Sequence, residues 1–414
     1  MKKILALSLL FCGILLNAQP IDYSQFATPM IEHDPQKLFS QPEFFDSLVQ
    51  DKRIILLGEL DHGDGTSFEV KAKVIQYLHE KHGFNNLVFE AGMIDCQALW
   101  RSLQGGAAMA TLAPQHIYFI WSQVQETQPL FQYIDQQYQE GSPLRVLGID
   151  PQFSGPQEQL VFINLLKEVL AEEEVEDSRF EALAYELQIM SKWLHYPAKK
   201  AHRIDFATFQ SYLDDFRTIT LPKIEVSEQA LWQRYFDNVQ TLATIKWENN
   251  RQEAFAKRDL QLFQNLQFWL DQYQDEKFIV WAANAHIIRN DAQLKGKDQD
   301  HPLIGIKKLG DHIAEHFAQA TYAIAIAAGS GKTLNFLNKK KTNKLKKNQR
   351  NSLEARLQGL STAFVDLRSF EQFSELNEYE AQLFYTRVKC TAKWSAHFDG
   401  VLFIDEMKAS TPLW

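Results

Sequence analysis

The amino-acid sequence predicts an α/β protein whose mostly parallel sheet is flanked by helices and interrupted by a helical insertion. Short runs of Ile, Val, Leu and Phe recur along the chain. These runs are apolar throughout rather than alternating, which is typical of parallel strands covered on both faces. One long middle segment contains no such run. The sequence therefore predicts two sheet-forming halves separated by helices.

The first strand, helix and strand lie between residues 53 and 89. The strands are predicted at RIILL (53–57) and NLVF (86–89). Between them, Phe68, Ala72 and Ile75 recur at helical spacing. The length of this interval suits a right-handed crossover between two parallel strands.

The ends of this helix have their own signals. Thr66 and Glu69 have the spacing of a capping box, and Gly83 stands where glycine typically ends a helix. We expect the helix start to offer backbone N–H groups to a developing oxyanion. Gly63 and Gly65 are expected to let a substrate approach the backbone closely.

The second half of the sheet follows a long helical segment. Residues 155–275 are rich in Glu, Gln, Leu, Phe and Trp, and Pro197 and Pro222 interrupt them. The later strands are predicted at LRVLGI (144–149), KFIVWAA (277–283), YAIAIAA (322–328) and GVLFID (400–405). The predicted organisation is a signal peptide (1–18), a first half of the catalytic core (19–154), a helical insertion (155–275) and a second half of the core (276–414).

The N-terminus has the parts of a secretory signal peptide. Lys2 and Lys3 precede an apolar run (4–16), and Ala18 stands at the expected cleavage point. The run is shorter than the roughly 20 residues that cross a bilayer, so no stable membrane anchor is expected. We expect a secreted or periplasmic protein. Lipid attachment at Cys12 is the alternative, although the preceding Phe11 is bulky for such a site.

Charge and cysteine content narrow the class of function. The chain has 414 residues and a formal net charge of −9, which makes it a poor candidate for nucleic-acid binding.

Cys96 and Cys390 either form one disulfide or stay buried as small apolar residues. The basic run at 339–350 predicts a solvated loop, with a patch for anionic surface polymers as the alternative. No feature predicts the oligomeric state.

Acids and histidines follow the predicted strands at their carboxyl ends. Glu59 and His62 follow the first strand, Glu90 the second, Asp150 the third and His286 the fourth. Ligands of parallel α/β sheets collect at this edge, so these side chains are expected to converge on one cleft. A small-molecule substrate is the partner that such a cleft would bind.

This set of residues predicts proton-transfer chemistry. Two neighbouring carboxylates are expected to raise each other's pKa, and a histidine beside a carboxylate becomes a better base for water. Zinc or manganese could bind Glu59, His62, Glu90 and His286, but no HExxH pair is present and no metal or other cofactor is required. The chain has no GxSxG nucleophile motif. AAGSGKT (327–333) lacks the first glycine of a phosphate-binding loop.

Several segments in the same order resemble the erythromycin esterase-like family. The resemblance spans roughly residues 40–410. It rests on LLGELDHG (56–63), LVFEAG (87–92), VLGIDPQ (146–152), IVWAANAHI (279–287) and HFDGVLFIDEMKASTP (397–412).

The resemblance implies an α/β core with a helical insertion, and hydrolysis of a macrolide lactone by water that a histidine activates. On this basis His62 resembles the general base, and Glu59 and Glu90 resemble its supporting carboxylates. Lys71 stands where the family has a basic residue, which we expect to steady the oxyanion. The predicted catalytic residues are His62, Glu59, Glu90 and His286. The predicted substrate-binding residues are Lys71, Asp150, Asn284 and Trp121.

One position departs from the family pattern. The family segment W-A-H-N-x-H has two histidines, whereas Ala283 replaces the first here and His286 remains. A methyl group neither shuttles a proton nor binds a carbonyl oxygen. The departure implies slower hydrolysis or a different substrate.

The leading hypothesis is a secreted ester or lactone hydrolase, with antibiotic resistance implied by the resemblance alone. The alternative is a metal- or haem-binding surface or periplasmic protein whose esterase site has decayed. Metal analysis and a visible absorption spectrum would separate the two hypotheses.

Overall fold

The computed structural model describes residues 26–30, 38–156, 160–191, 202–336, 338, 341–346, 348, 352–372, 378–385 and 387–414. The predicted signal peptide, Cys12 and Pro197 lie outside the described residues. None of the helices in the described ranges is both long and apolar enough to cross a membrane.

Eleven strands are formed in the described part of the chain. In chain order they are β1 (Ala27–Pro29), β2 (Ile54–Leu57), β3 (Asn86–Gly92), β4 (Arg145–Asp150), β5 (Phe278–Trp281), β6 (Thr321–Leu334), β7 (Thr342–Lys344), β8 (Ala363–Asp366), β9 (Tyr379–Tyr385), β10 (Val388–Ala392) and β11 (Gly400–Met407). The sequence predicts six of them, which are β2 to β6 and β11. It misses β1, β7, β8, β9 and β10, because polar residues or proline interrupt or end these strands, so none of them reads as a continuous apolar run.

Helices occupy the intervals between most strands. In chain order they are α1 (Pro42–Val49), α2 (Gly65–His82), α3 (Met93–Gln104), α4 (Met109–His116), α5 (Phe119–Ser122), α6 (Gln128–Gln139), α7 (Val161–Val169), α8 (Glu172–Val175), α9 (Ser178–Met190), α10 (Phe206–Thr220), α11 (Val226–Trp247), α12 (Arg251–Gln272), α13 (Asn284–Ile287), α14 (Leu309–Phe317) and α15 (Leu353–Arg356). The described residues between 155 and 275 contain helices α7 to α12 and no strand, as expected.

The main sheet is mostly parallel, which confirms the predicted fold class. Its strands lie in the order β1, β8, β11, β6, β2, β5, β3, β4, and β7 pairs with β6. The six strands from β11 to β4 are parallel, whereas β1, β7 and β8 pair in antiparallel fashion. Strands β9 and β10 form a separate hairpin.

Both faces of the sheet are buried, which explains the continuous apolar runs. Ile54 and Leu56 point into a core that includes α7 and α9 to α12. Ile55 and Leu57 point into a second core that includes α1, α2, α4 and α6. Because successive side chains of a strand face opposite sides, each face receives alternate residues. The helical segment therefore shares a core with the sheet.

The two remaining cysteines are not bonded to each other. Cys96 in α3 and Cys390 in β10 are both buried free thiols. The disulfide alternative is therefore wrong, and burial as small apolar residues is the arrangement found.

The ends of α2 differ in how well the sequence predicts them. Gly83 ends the helix in the left-handed conformation (φ 69°), as expected. At the other end α2 begins at Gly65, with no side-chain cap. The Thr66 hydroxyl accepts a hydrogen bond from the Lys408 N–H (2.9 Å). The predicted capping box of Thr66 and Glu69 is therefore wrong, because Thr66 binds the C-terminal segment.

A bulge in β3 sits at Glu90. Phe89 pairs with Gly148 and Gly92 pairs with Asp150, so β3 has one more residue than β4 in this interval. The bulge brings the carbonyl oxygens of β3 against β4, and a Cβ on Gly148 would lie 2.5 Å from the Gly92 oxygen. Glycine at 148 is therefore what permits this backbone path.

We expect Gly148→Ala to lower the free energy of unfolding by about 1–3 kcal/mol, because the new methyl group meets rigid backbone. Urea unfolding measures the change. Gly105→Ala is the control, since Gly105 has an ordinary φ of −77° at the end of α3. Equal unfolding midpoints for both variants would contradict this account of the bulge.

Candidate active site

Four neighbouring parallel strands bring the predicted residues to one edge of the sheet. β2, β5, β3 and β4 lie side by side, and their carboxyl ends lead to Glu59, His286, Glu90 and Asp150. The side chains form two groups. We name the first the His62 cluster, and it consists of His62, Glu59, Lys71, Trp121 and Trp281. The second, the Arg258 cluster, consists of Arg258, Glu90, Asp150, Asp259 and His286.

Glu59 is the centre of the His62 cluster. Its Oε1 lies 2.6 Å from His62 Nδ1 and accepts a hydrogen bond from Trp121 Nε1 (3.2 Å). Its Oε2 accepts hydrogen bonds from Lys71 Nζ (3.0 Å) and Trp281 Nε1 (2.9 Å). Burial alone would raise the pKa of Glu59, but Lys71 and His62 hold it below its ordinary value. Glu59 is therefore an anion at neutral pH.

His62 combines a buried partner with access to solvent. Its side chain is 21% exposed, and its ring stands edge-on to Trp121 at 5.6 Å. No described residue forms a hydrogen bond with Nε2. Burial acts to lower the pKa of His62, but Glu59, Glu90 and Asp61 together raise it above the ordinary value. The imidazole can therefore exchange protons with solvent.

Lys71 supports Glu59 and is closed off from solvent. Its side chain is fully buried, and Nζ lies 3.8 Å from the centre of the Trp281 ring. Burial lowers its pKa to about 8, although Glu59 opposes this shift. The prediction that Lys71 contacts the substrate or its oxyanion is therefore wrong.

Arg258 joins three of the predicted residues. Its Nε donates to Asp150 Oδ1 (3.2 Å), Nη2 donates to Glu90 Oε1 (2.9 Å), and Nη1 lies 3.2 Å from His286 Nε2. A further bond joins Nη2 to Asp150 Oδ2. Arg258 comes from α12, and its side chain remains 16% exposed. It is therefore the cation of the site that substrate can reach.

His286 is held as an imidazolium ion. Its Nδ1 lies 2.9 Å from Asp259 Oδ1, its Nε2 lies 3.1 Å from Glu90 Oε1, and its ring stacks on Phe255. Burial alone would lower the pKa of His286, but Asp259 and Glu90 raise it to about 9. Its positive charge is therefore present at neutral pH.

Glu90 acts to raise the pKa of Glu59, as expected, but nearby cations outweigh this effect. Burial does favour the neutral form of Glu90, but His286 and Arg258 hold its pKa well below the ordinary value. Its Oε2 also accepts a hydrogen bond from the Ala283 N–H (2.9 Å). Cations close to both carboxylates outweigh their mutual repulsion, so both are ionised.

Three predicted substrate-binding residues have other roles in the structure. Asn284 is fully buried, and its amide bonds to the Ile326 oxygen (2.8 Å) and the Ile326 N–H (3.1 Å). Asp150 is 1% exposed and binds Arg258. Trp121 is 1% exposed and donates to Glu59. Asn284 anchors α13 to β6, and the other two position charged partners.

The expected oxyanion site at the start of α2 is also wrong. A Cβ on Gly63 would lie 2.2 Å from the Leu334 oxygen, and one on Gly65 would lie 2.9 Å from the Ala409 oxygen. The Thr66 N–H donates to the oxygen of Lys408 (3.4 Å). These glycines therefore admit other segments of the chain, which cover the helix start.

Sequence reasoning missed Arg258, Asp259 and Trp281. Arg258 and Asp259 lie within a helix, so no strand end marks them. The one signal in the sequence is that these two charged residues are adjacent in a helix. Neighbouring residues of a helix point in different directions, so the two side chains cannot both project from the middle of its exposed face. Charged residues are rarely buried, so a charged residue that turns towards the protein marks an unusual position. Trp281 reads as a strand residue, and its indole bond to Glu59 has no sequence signal.

The donor set does not suit a divalent metal ion. Within the described residues, no group of three or more His, Cys, Asp or Glu side chains is arranged to hold a metal. Glu59 already binds Lys71, and Glu90 binds Arg258 and His286. These cations supply the positive charge that a metal would bring, and they would repel it. A separate cavity of about 690 Å³ along α2 contains no residue of either cluster.

We expect Asp259→Asn to lower the pKa of His286 and to reduce the pH dependence of stability. A raised folded-state pKa stabilises the protein fully below the unfolded value of about 6.5, and this stabilisation is lost as the pH rises through about 9. NMR titration of the ring and urea unfolding at both pH values measure the effects.

Comparing Asp259→Asn with the parent protein cancels the contributions that other titrating groups, such as Lys71, make to the pH dependence of stability. Asp271→Asn, an exposed change on the same helix, is the control. A His286 pKa that stays near 9 in Asp259→Asn would refute the proposed role of this carboxylate.

Known proteins share the sequence pattern and the fold. The family model for erythromycin esterase matches residues 79–407, a range that includes the Arg258 cluster and Trp121 and Trp281 but begins after His62. The protein "Putative hydrolase YbfO" of Bacillus subtilis (strain 168) is 25% identical over 350 residues, which cover 77% of this chain and 72% of YbfO.

Solved structures with the same fold are less similar in sequence. A Bacillus cereus protein has a TM-score of 0.70 at 20% identity, covering 94% of this chain and 97% of that chain. A succinoglycan biosynthesis protein has a TM-score of 0.73 at 15% identity, with coverage of 94% and 97%. A mutant of the erythromycin esterase EreC in its open conformation has a TM-score of 0.68 at 16% identity, with coverage of 92% and 97%. Since the family model covers most of the chain, this protein belongs to the erythromycin esterase family and is a hydrolase of that family.

Proposed function

We propose that this protein hydrolyses a carboxylic ester or lactone, with His62 as the general base for water. The observation that carries the proposal is the 2.6 Å contact between His62 Nδ1 and the buried, ionised Glu59. A histidine held by a carboxylate on one nitrogen presents the other nitrogen to the reactants. Partial exposure of the ring gives water access to it.

The proton path follows from this arrangement. With Nδ1–H donating to Glu59, the lone pair of neutral His62 lies on Nε2. Nε2 takes a proton from water as the oxygen attacks the ester carbonyl, and Glu59 stabilises the resulting imidazolium. The same proton then passes to the leaving alkoxide, which restores the neutral base.

Arg258 is the proposed donor to the oxyanion. Because His286 is protonated, it cannot accept a hydrogen bond from Arg258 Nη1, which lies 3.2 Å from its Nε2. An N–H of Nη1 therefore remains free to bind the negative oxygen that forms on the carbonyl carbon. This role replaces the one expected for Lys71.

This chain lacks the second histidine that the family resemblance implies. Ala283 offers no second base, so hydrolysis depends on His62 alone for proton transfer from water. A macrolide lactone is a candidate through the resemblance only. We also propose export of the protein, supported by Lys2, Lys3 and the apolar run (4–16).

We expect His62→Ala to lower kcat by about 10²- to 10⁴-fold, the usual contribution of a general base. The assay uses p-nitrophenyl esters, simple lactones and macrolides, each with and without a chelator. His316→Ala, an exposed change on α14, is the control. Unchanged turnover in a folded His62→Ala protein would end this mechanism.

Glu59→Gln separates general-base catalysis from a structural effect. In the parent protein kcat/KM falls as the pH drops through the raised pKa of His62, because only the neutral ring accepts a proton. Removing the Glu59 charge lowers that pKa, so the acid limb of the profile moves to lower pH while the rate falls. A limb that stays in place would contradict the assignment.

We expect Arg258→Lys to lower kcat by about 10²-fold with little change in KM, because the loss falls on the transition state. Lysine keeps the charge but loses the planar set of donors. Arg251→Lys, an exposed change on α12, is the control. A rise in KM with unchanged kcat would assign Arg258 to substrate binding instead.

A further inference from the structure

Asp64 is a buried acid next to the His62 loop that takes no part in the proposed proton path. It stands at the N-cap position of α2, and its side chain is fully buried. An aspartate at this position typically accepts a hydrogen bond from a backbone N–H of the first helical turn. Asp64 makes no such cap. Its carboxyl group therefore serves a different part of the chain.

The carboxyl group of Asp64 binds the link between Glu59 and His62. Two residues form this link, and the N–H groups of both donate to Asp64 Oδ2, from Leu60 at 3.1 Å and from Asp61 at 2.8 Å. Both residues are buried, so their N–H groups need an acceptor within the protein. Asp64 therefore holds the whole of the short segment that joins the carboxylate to the base.

Other elements hold the ends of this link. The Glu59 oxygen accepts a hydrogen bond from the Asn284 N–H (2.9 Å). The Gly63 oxygen accepts from the N–H groups of Leu334 (2.9 Å) and Ser410 (2.9 Å). These bonds fix where the link begins and ends, whereas the two bonds to the carboxyl group fix the path between.

Asp64 makes these bonds as a neutral acid. Burial and the charge of Asp61 raise the pKa of Asp64 well above its ordinary value. Its second oxygen, Oδ1, is buried and has no hydrogen-bond partner among the described residues, which also disfavours a charge. Replacing Asp64 by a neutral residue therefore changes the hydrogen bonds of the link without removing a charge from the surroundings of His62.

The contact that the link supports is sensitive to small displacements. His62 Nδ1 lies 2.6 Å from Glu59 Oε1. A misplacement of about 1 Å in an active site can cost about 10²-fold in rate. A looser link would move His62 relative to Glu59, and both the basicity of the ring and its orientation depend on that carboxylate.

We propose that Asp64 is a positioning residue, whose Oδ2 accepts the two hydrogen bonds that hold His62 against Glu59 in the orientation that activates water. This proposal rests on the proposed ester hydrolysis and adds a residue to its machinery. The competing role is a purely structural one, in which Asp64 only starts helix α2.

Two substitutions separate these roles. Asp64→Ser keeps a residue that is favoured at a helix start but removes the carboxyl oxygen. Asp64→Asn is also favoured at a helix start, and it keeps a neutral side chain with an oxygen that can accept both bonds. The control is Asp135→Ser, because Asp135 also accepts a hydrogen bond from a backbone N–H, that of Met109 at the start of α4 (2.9 Å).

We expect Asp64→Ser to lose about 10- to 10²-fold in kcat for p-nitrophenyl acetate with little change in KM, because His62 is misplaced. The acid limb of kcat/KM moves to lower pH, although Glu59, Glu90 and Asp61, which raise the pKa of His62, are all retained. Asp64→Asn restores most of the rate, and the control behaves as the parent. A folded Asp64→Ser protein with the parent kcat, or an Asp64→Asn protein as slow as Asp64→Ser, would overturn the proposal.

Hydrogen exchange and NMR titration test the positioning role without turnover. In the parent protein we expect slow exchange of the Leu60 and Asp61 N–H groups, which needs no variant. The pKa of His62 falls towards its ordinary value in Asp64→Ser and stays raised in Asp64→Asn. These results support the positioning role even if no ester is hydrolysed, in which case the proposed function alone fails. Fast exchange of both N–H groups, or an unchanged His62 pKa in Asp64→Ser, overturns the positioning role.

Discussion

The buried negative charge of Glu59 is the constraint on which the site depends. A carboxylate that is 1% exposed costs several kcal/mol unless cations and donors surround it. Lys71 from α2 and the indoles of Trp121 and Trp281 provide this compensation. Helix α2, helix α5 and strand β5 must therefore dock together for Glu59 to stay ionised. An ionised Glu59 is in turn what orients His62 and raises its pKa.

The Arg258 cluster meets the same constraint at the same edge of the sheet. Arg258 comes from α12 in the helical segment, and its partners Glu90 and Asp150 come from β3 and β4. Moving α12 away from the sheet would leave buried carboxylates without their cation. Such a loss lowers the free energy of unfolding by about 3–5 kcal/mol. The helical segment therefore completes the active site as well as the core.

Two histidines at one sheet edge acquire different tasks from their surroundings. His62 has one bonded carboxylate and partial exposure, so it can alternate between neutral and charged forms. His286 lies between the carboxylates of Asp259 and Glu90 and is buried, so it stays charged near neutral pH. Environments that separate the pKa values of like groups are the usual way in which one site obtains both a base and a fixed cation.

The sequence by itself determined the parallel sheet, the helical character of 155–275 and the meeting of Glu59, Glu90 and His286 at one edge. Apolar runs mark buried strands, and parallel strands end on the same side, so local pattern suffices for these features. Only the tertiary structure decided that Lys71 points at Glu59 and not at solvent, and that Arg258 supplies the accessible cation. These outcomes depend on packing between segments far apart in the chain, and on distances that set each pKa, for which no local spacing is a guide.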